Sequence, residues 1–258
     1  MKTVSRLSIA PVKGMAVVYP DEVVLERYGV AANRRFHVTD ADGRRYGQIR
    51  NGKLVRIQPD YDEESGRLAL SFPDGRVVDG VPELGEELVT DFYGRPVPGR
   101  LVVGEWSDAI SEFVGRPLQL VRCDEPGAGV DRGLGPVTML SDASLDELAR
   151  QVELDGVDPR RFRMLISIAG ARPHEEDSWL GRRVRVGGAV VALHEQVARC
   201  AITTQNPTTG VPDLDTLREI KRYRGARDGN DKYIDFGVYG EVETPGRVRV
   251  GDSVEPLS

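Results

Sequence analysis

The sequence predicts a mainly β protein of the α+β type, in which short strands build barrel-like sheets and a few helices flank them. Its 258 residues include 29 glycines and 16 prolines, which are spread through the chain instead of gathered in one linker. Between these turn formers, apolar and polar residues alternate in short runs, the pattern of strands with one buried face. Many turns between short strands are what antiparallel sheets and barrels require.

The overall composition excludes several functional classes. The formal net charge is −6, which argues against a general nucleic-acid binder because such proteins carry a basic excess. No apolar run reaches the roughly 18 residues that a membrane span needs. The two cysteines, Cys123 and Cys200, are too few for a disulfide scaffold. We therefore expect a cytoplasmic protein without nucleic-acid binding or a membrane span.

Strand-like runs dominate the first hundred residues. The segment Asp40–Gly43 between two of these runs has the composition of a hairpin turn, because Asp tolerates and Gly favours a positive φ. The Gly-rich and Pro-rich stretch Asp124–Pro136 is the strongest loop signal in the chain. The predicted strands are VSRLSI, DEVVLERYGV, RRFHVTD, KLVRIQP, RLALSF and RVVDG, followed later by RMLISIAG, RRVRVGGAVVAL, YIDFGVYGEV and GRVRVGDSV.

Three runs with helical periodicity interrupt the strands. WSDAISEFVG is predicted to end at Gly115, a residue type that favours helix C-termini. SDASLDELARQVE is predicted to be capped by Ser141 or Asp142, and PDLDTLREIKRYR by Asp213. These helices are expected to flank the sheets.

Cys200 is the most informative candidate for chemistry, because the common nucleotide, hydrolase and zinc motifs are absent and three histidines nearly exclude a His-rich metal site. It lies in VARCAITTQNPTTG, directly after Arg199. A thiolate is both a nucleophile and a soft metal ligand, and a neighbouring guanidinium favours it. The alternative is a small apolar side chain packed at a strand end. Cys123 also follows an arginine, so the spacing alone leaves both interpretations open.

A series of motifs extends over nearly the whole length in a fixed order. They are IAPVKG, YGVAANRRF, LSDASLDEL, RRFR, EEDSWLG, ARCAITTQNPTTG, RYR, FGVYGEV and PGRVRVGDSV. By these motifs the chain resembles MOSC-domain proteins that carry the N-terminal MOSC β-barrel domain, and is similar to the mitochondrial amidoxime-reducing component and its bacterial relatives. The resemblance implies an N-terminal barrel-like domain over residues 1–103 and a MOSC β-barrel domain with flanking helices over 104–258, with an approximate boundary and interlocked domains.

The resemblance also implies a molybdenum cofactor (molybdopterin) site. The cysteine that matches the molybdenum ligand is Cys200, which would be both the metal ligand and the catalytic residue. The residues expected to bind the cofactor are Lys13, Arg35, Arg163, Arg199, Thr203 and Thr204, the arginines and lysine because cations suit its phosphate. Three positions depart from the pattern of the reductases: Gly14 and Leu165 each replace a polar residue, and Leu134 with Gly135 replaces small hydroxyl residues.

We expect a molybdenum-cofactor-dependent oxidoreductase that reduces N-hydroxylated or N-oxygenated small molecules. Since two cysteines cannot hold an iron–sulfur cluster, a separate ferredoxin-type or cytochrome-type electron donor is implied. The alternative is sulfur transfer or C–S bond chemistry, in which Cys200 carries a persulfide or acts as nucleophile. A third hypothesis is a non-catalytic module that binds the pterin cofactor.

Overall fold

The computed structural model describes residues 1–131, 135–230 and 233–257. Within these ranges the chain forms seventeen strands and three α-helices. The strands are β1 (Thr3–Leu7), β2 (Glu22–Leu25), β3 (Phe36–Asp40), β4 (Arg45–Tyr46), β5 (Gln58–Tyr61), β6 (Leu68–Ser71), β7 (Val77–Gly80), β8 (Glu83–Phe92), β9 (Arg95–Val103), β10 (Leu118–Cys123), β11 (Val137–Ser141), β12 (Ile166–Ala169), β13 (Arg183–Val186), β14 (Ala189–Ala198), β15 (Asp235–Thr244), β16 (Gly246–Arg249) and β17 (Val254–Pro256). The helices are α1 (Glu105–Val114), α2 (Asp142–Gln151) and α3 (Thr216–Arg224). This content confirms the predicted mainly β class.

Seven strands form a nearly closed barrel in the order β1-β12-β11-β15-β14-β13-β17. An antiparallel bridge between Thr3 and Ser253 joins its two edge strands. The barrel interior is a continuous apolar cluster that includes Leu7, Ile166 and Val238. Burying each such side chain stabilises the fold by about 1.5–3 kcal/mol.

A five-stranded antiparallel sheet, β4-β3-β10-β9-β8, and the three-stranded sheet β5-β6-β7 enclose a second core with α1. β1 lies in the barrel although it comes first in the chain, and β10 pairs with β3 and β9 although it lies beyond residue 103. Residue 103 therefore lies between elements that all belong to this second core. The division of the chain into two domains at this residue stays a prediction.

Turn and cap chemistry explains where most elements begin and end. The Asp40 carboxylate accepts hydrogen bonds from the backbone N–H groups of Asp42 and Arg44, which forms the predicted hairpin between β3 and β4. Gly115 ends α1 in the left-handed region, with φ of 88°. Ser141 caps α2, since its hydroxyl accepts the N–H of Ser144 at 3.1 Å.

Two local predictions are wrong. In KLVRIQP the structure has a 3-10 turn, Gly52–Arg56, before β5, because the Asn51 side chain accepts the N–H of Lys53 and starts a turn. The cap of α3 is Asp215, whose carboxylate accepts the N–H of Arg218. Asp213 pairs with Arg161 at 2.6 Å instead.

No helix in the described ranges is long and apolar enough to cross a membrane.

Candidate active site

A cavity of about 520 Å³ lies where β14 ends, between the barrel and the loops of the second core. One thiol, six arginines, one lysine and one aspartate line it, so its surface is strongly positive although the protein as a whole is acidic. These charged residues and the thiol are Lys13, Arg34, Arg45, Arg50, Asp131, Arg161, Arg163, Arg199 and Cys200. Such a surface suits a ligand that carries several negative charges.

Cys200 is exposed on the wall of this cavity. It follows β14 directly and precedes the 3-10 turn Ala201–Thr204. The Thr203 side chain holds that turn, because its hydroxyl lies 3.1 Å from the Cys200 carbonyl and 2.6 Å from the Thr216 hydroxyl at the start of α3. The thiol is therefore presented by a turn that is anchored to a helix.

Arg199 and Thr204 make mainly internal contacts. The Arg199 guanidinium donates to the carbonyls of Phe236 and Phe162, at 2.8 Å from Nε and 3.0 Å from Nη1, and it lies over the Phe162 ring. The Thr204 hydroxyl donates to the Ala201 carbonyl at 2.7 Å and does not line the cavity. Arg199 thus contributes its charge from a fixed position under Cys200, whereas Thr204 stabilises the turn.

Arg163 points a buried guanidinium at the cavity. Its backbone adopts a left-handed conformation with φ of 52°, which is uncommon for a non-glycine residue. Nη1 donates to the Met15 carbonyl at 2.8 Å, but the buried Nη2 has no hydrogen-bond partner among the residues that the structure describes. Burial, together with Arg34, lowers the pKa of Arg163 to about 9, so the guanidinium stays cationic at neutral pH. A buried cationic donor without an acceptor is a site that an anion would satisfy.

Lys13 and Asp131 form an ion pair of 2.7 Å in the same cavity. Burial lowers the pKa of Lys13 to about 8, although Asp131 opposes the shift. Burial alone would raise the pKa of Asp131, but Lys13 and the neighbouring arginines outweigh it and lower that pKa to about 2. Asp131 is therefore ionised, and it is the single carboxylate among the lining residues that the structure describes.

Arg35, predicted to bind the cofactor phosphate, lies outside the cavity. It is buried, and Nη1 donates to the carbonyls of Cys123 and Asp124 at 3.0 and 3.3 Å. Its neighbour Arg34 lines the cavity instead, with a left-handed backbone at φ of 56°. The structure thus brings Lys13, Arg163, Arg199, Thr203 and Cys200 to one cavity and leaves Arg35 and Thr204 out of it.

The positions that depart from the reductase pattern have structural reasons. Gly14 lines the cavity at φ of 89°, where an added Cβ would lie 3.2 Å from the Gln48 backbone nitrogen. A Cβ at Gly135 would lie 2.2 Å from the Tyr239 ring. Leu165 is buried in the barrel core and does not line the cavity, and Leu134 lies outside the described residues.

Sequence reasoning missed five of the charged residues in the cavity: Arg34, Arg45, Arg50, Asp131 and Arg161. Arg45 follows the hairpin turn and Asp131 lies in the predicted loop, so neither belongs to a motif that signals binding. Arg34 and Arg161 lie in the motifs YGVAANRRF and RRFR, close to the predicted residues Arg35 and Arg163. The sequence could therefore have indicated them as further candidates. Over the described ranges, no group of three His, Cys, Asp or Glu residues is arranged to hold a metal ion.

Two family descriptions match the chain: "MOSC N-terminal beta barrel domain" over residues 1–87 and "MOSC domain" over residues 132–255. Mitochondrial amidoxime-reducing component 1 of Mus musculus is 26% identical over 279 aligned positions, which cover 98% of this chain and 81% of that protein. Mitochondrial amidoxime reducing component 2 of Bos taurus is 36% identical over a shorter match, 46% of this chain and 36% of that protein. Molybdenum cofactor sulfurase of Oryza sativa is 25% identical over 88% of this chain, which spans 32% of the rice protein.

Proposed function

This chain is a MOSC-domain protein that carries the MOSC N-terminal β-barrel domain, and we propose from this that it is a molybdenum-cofactor-dependent oxidoreductase that reduces N-hydroxylated small molecules. The observation that carries the proposal is the exposed Cys200 thiol on the wall of the cation-lined cavity. The chain is similar to amidoxime-reducing components along most of its length, which supports the same reaction class.

The residues of the cavity fit the molybdenum cofactor. Its phosphate needs cationic donors, and the buried Nη2 of Arg163 lacks an acceptor while Lys13 and Arg34 line the same wall. Its metal needs a soft ligand, which the Cys200 thiolate supplies. When bound, the cofactor would supply the two-electron redox chemistry that reduction of an N–O bond requires.

The protein's own residues would hold and orient the cofactor. Arg163 and Lys13 bind the phosphate, and Arg34 adds a third positive charge. Thr203 fixes the turn that presents Cys200 by bonding to the Thr216 hydroxyl. Asp131 keeps Lys13 in place through their 2.7 Å ion pair.

An external electron donor completes the proposal. One of the two cysteines is buried and the other is exposed, and over the described ranges neither belongs to a group of residues that could hold a metal cluster for electron transfer. We expect a ferredoxin-type or cytochrome-type protein to reduce the cofactor. The substrate is a small molecule that reaches the cavity from solvent.

The test is production of the chain in a host that makes the molybdenum cofactor, followed by an assay of benzamidoxime reduction with chemically reduced methyl viologen. We expect the wild-type protein to convert benzamidoxime to benzamidine and the Cys200→Ala variant to lose this activity. Cys123→Ala is the matched control, and it should keep the activity. A cofactor-loaded wild-type protein that leaves benzamidoxime unchanged would contradict the proposal.

Sulfur transfer is the second candidate function. One curated relative is named a molybdenum cofactor sulfurase, and an exposed thiol among cations is also suited to carry a persulfide. Mass spectrometry of the purified chain distinguishes the two functions. One additional, cyanide-labile sulfur atom on Cys200 would favour sulfur transfer, whereas an unmodified thiol with bound molybdenum favours the reductase.

A further inference from the structure

A second, larger cavity of about 1070 Å³ adjoins the cavity of Cys200. It lies between the segment Ala16–Tyr19, the β5–β6 sheet region and the loop that follows the Cys200 turn. The two cavities share Gln48, Arg161 and Arg163, which therefore lie between them, and we call this shared boundary the neck. Cys200 lines the smaller cavity and not the larger one.

The neck and the adjacent Gln205 carry buried polar atoms without partners among the described residues. Arg161, Gln48 and Gln205 are only 8%, 5% and 8% exposed. Within the described part of the chain, Arg161 Nε, Arg163 Nη2, Gln48 Oε1 and Gln205 Oε1 have no hydrogen-bond partner. All four residues line the larger cavity. Since buried polar groups are normally satisfied, two donors and two acceptors gathered at this boundary indicate a ligand that carries both kinds of group there.

The walls of the larger cavity specify the rest of that ligand. Apolar side chains such as Val18, Phe72 and Val211 line it, and no carboxylate does so among the described residues. Arg160 is neutralised by Asp158 through paired hydrogen bonds. Arg56 is exposed, lies over the Phe113 ring and has no carboxylate partner in the described part of the chain. The outer wall therefore offers one uncompensated positive charge next to an apolar surface.

We propose that the larger cavity is the substrate-binding site, and that it selects ligands with an apolar body, a carboxylate directed at Arg56 and a polar head that both donates and accepts hydrogen bonds in the neck. An amidoxime or a hydroxamic acid has such a head, because its N–H, O–H and oxygen or nitrogen acceptor atoms lie within one functional group. This assignment to substrate rests on the proposed reductase function, whereas binding of an apolar carboxylate does not.

Binding is measured first, without activity, by calorimetry with 4-biphenylcarboxylate and its neutral analogue 4-biphenylmethanol. We expect the carboxylate to bind more tightly to the wild-type protein by roughly two- to five-fold, the range of an exposed ion pair. Arg56→Gln should remove this preference. Arg116→Gln is the matched control, because Arg116 is also exposed and stacked on an aromatic ring, 4.9 Å from Tyr46, but lies outside both cavities.

A second pair of variants tests charge without depending on Arg56. Val211 is 61% exposed on the wall, so Val211→Glu and Val211→Gln should both fold. The glutamate should weaken carboxylate binding relative to the glutamine by a similar roughly two- to five-fold factor. Equal affinities for the two probes in the wild type, or an unchanged preference in Arg56→Gln and Val211→Glu, would overturn the proposal.

The cofactor-loaded protein separates this inference from the proposed function. If the probes bind as expected but neither benzamidoxime nor 4-carboxybenzamidoxime is reduced, the function fails and the carboxylate site stands. If both compounds are reduced with equal kcat/KM in the wild type and in Arg56→Gln, the function stands and the substrate assignment fails. Loss of probe binding on loading the cofactor would assign the larger cavity to the cofactor and would also overturn the proposal.

Discussion

The two cysteines lie in regions that differ sharply although their local sequences are alike. Each follows an arginine, and each stands at or just after the end of a strand, Cys123 in β10 and Cys200 after β14. Cys123 is fully buried against Phe92 and Val97, and its Sγ lies 3.5 Å from His37 Nδ1. Cys200 is exposed on a cavity with seven cationic side chains.

An adjacent arginine therefore does not by itself make a cysteine functional. Burial raises the pKa of Cys123 to about 11 and lowers that of His37 to about 3, so both groups are neutral at physiological pH. Arg35 serves this closed region by donating to the Cys123 carbonyl, while Arg34 faces the open cavity. The environment at the end of the strand, set by tertiary packing, decides which thiol can act.

The largest expected difference between the two regions is in thiol accessibility. In the native protein, iodoacetamide should modify Cys200 roughly a thousand-fold or more faster than Cys123, because Cys123 reacts only after an opening that costs several kcal/mol. Peptide mass spectrometry over a time course measures the two rates. Comparable rates would mean that the Cys123 region opens readily and would remove the contrast.

The neighbouring arginines should separate stability from anion binding. Arg35→Gln loses a hydrogen bond to the buried Cys123 carbonyl and a second, part-buried one to the Asp124 carbonyl, so it should lower the free energy of unfolding by about 1–3 kcal/mol and leave sulfate affinity unchanged. Arg34→Gln should weaken sulfate binding by roughly two- to five-fold with little effect on stability. Urea unfolding measures the stability of both variants, and calorimetric titration measures their sulfate affinity. Weaker sulfate binding in Arg35→Gln but not in Arg34→Gln would show that Arg35 reaches the cavity.

Replacing the thiols should show the same contrast in stability. Cys123→Ala leaves a gap in a buried cluster and should destabilise the protein by about 1–2 kcal/mol. Cys200→Ala should change the free energy of unfolding by less than about 0.5 kcal/mol, because the side chain is exposed. If urea unfolding shows the same loss of unfolding free energy in both variants, Cys200 must also be packed against other side chains.

The smallest effect concerns pH. Lys13 has a pKa lowered to about 8, and a bound anion stabilises its charged form, so sulfate affinity should fall as the pH rises above about 8. Lys13→Arg keeps its charge and should lose this dependence between about pH 7 and 8.5, below the range in which Arg163, with a pKa of about 9, loses its own charge. His37 and Cys123 should contribute nothing between about pH 5 and 9, because neither changes its charge there. A fall in affinity that persists in Lys13→Arg would assign the titration to another group.

The ends of turns and helices could be predicted from the sequence where residues close in the chain determine them. The turn after Asp40 and the cap of α2 at Ser141 follow from side chains that bond to nearby backbone, and the end of α1 at Gly115 follows from the left-handed backbone that glycine tolerates. The family motifs indicated Lys13, Arg163 and Cys200, which the fold brings to one cavity.

Prediction failed where long-range packing decides the outcome. The left-handed backbone at Arg34 turns that side chain, and not Arg35, toward the cavity, which no pattern in NRRF reveals. Asp131 pairs with Lys13, which lies 118 positions earlier in the chain, because the loop after β10 brings the two side chains together. Gln48 and Gln205 lie 157 positions apart, and although Gln205 belongs to the motif ARCAITTQNPTTG, nothing in that motif predicts that it lies beside Gln48.

The most direct test of the account is the molybdenum content of the protein from a cofactor-producing host, measured for the wild type, Cys200→Ala and Cys123→Ala. The account predicts close to one molybdenum per chain in the wild type and in Cys123→Ala, and a clear loss in Cys200→Ala. Equal molybdenum in all three proteins, or none in any of them while each is folded, would contradict the assignment of Cys200 as the metal ligand.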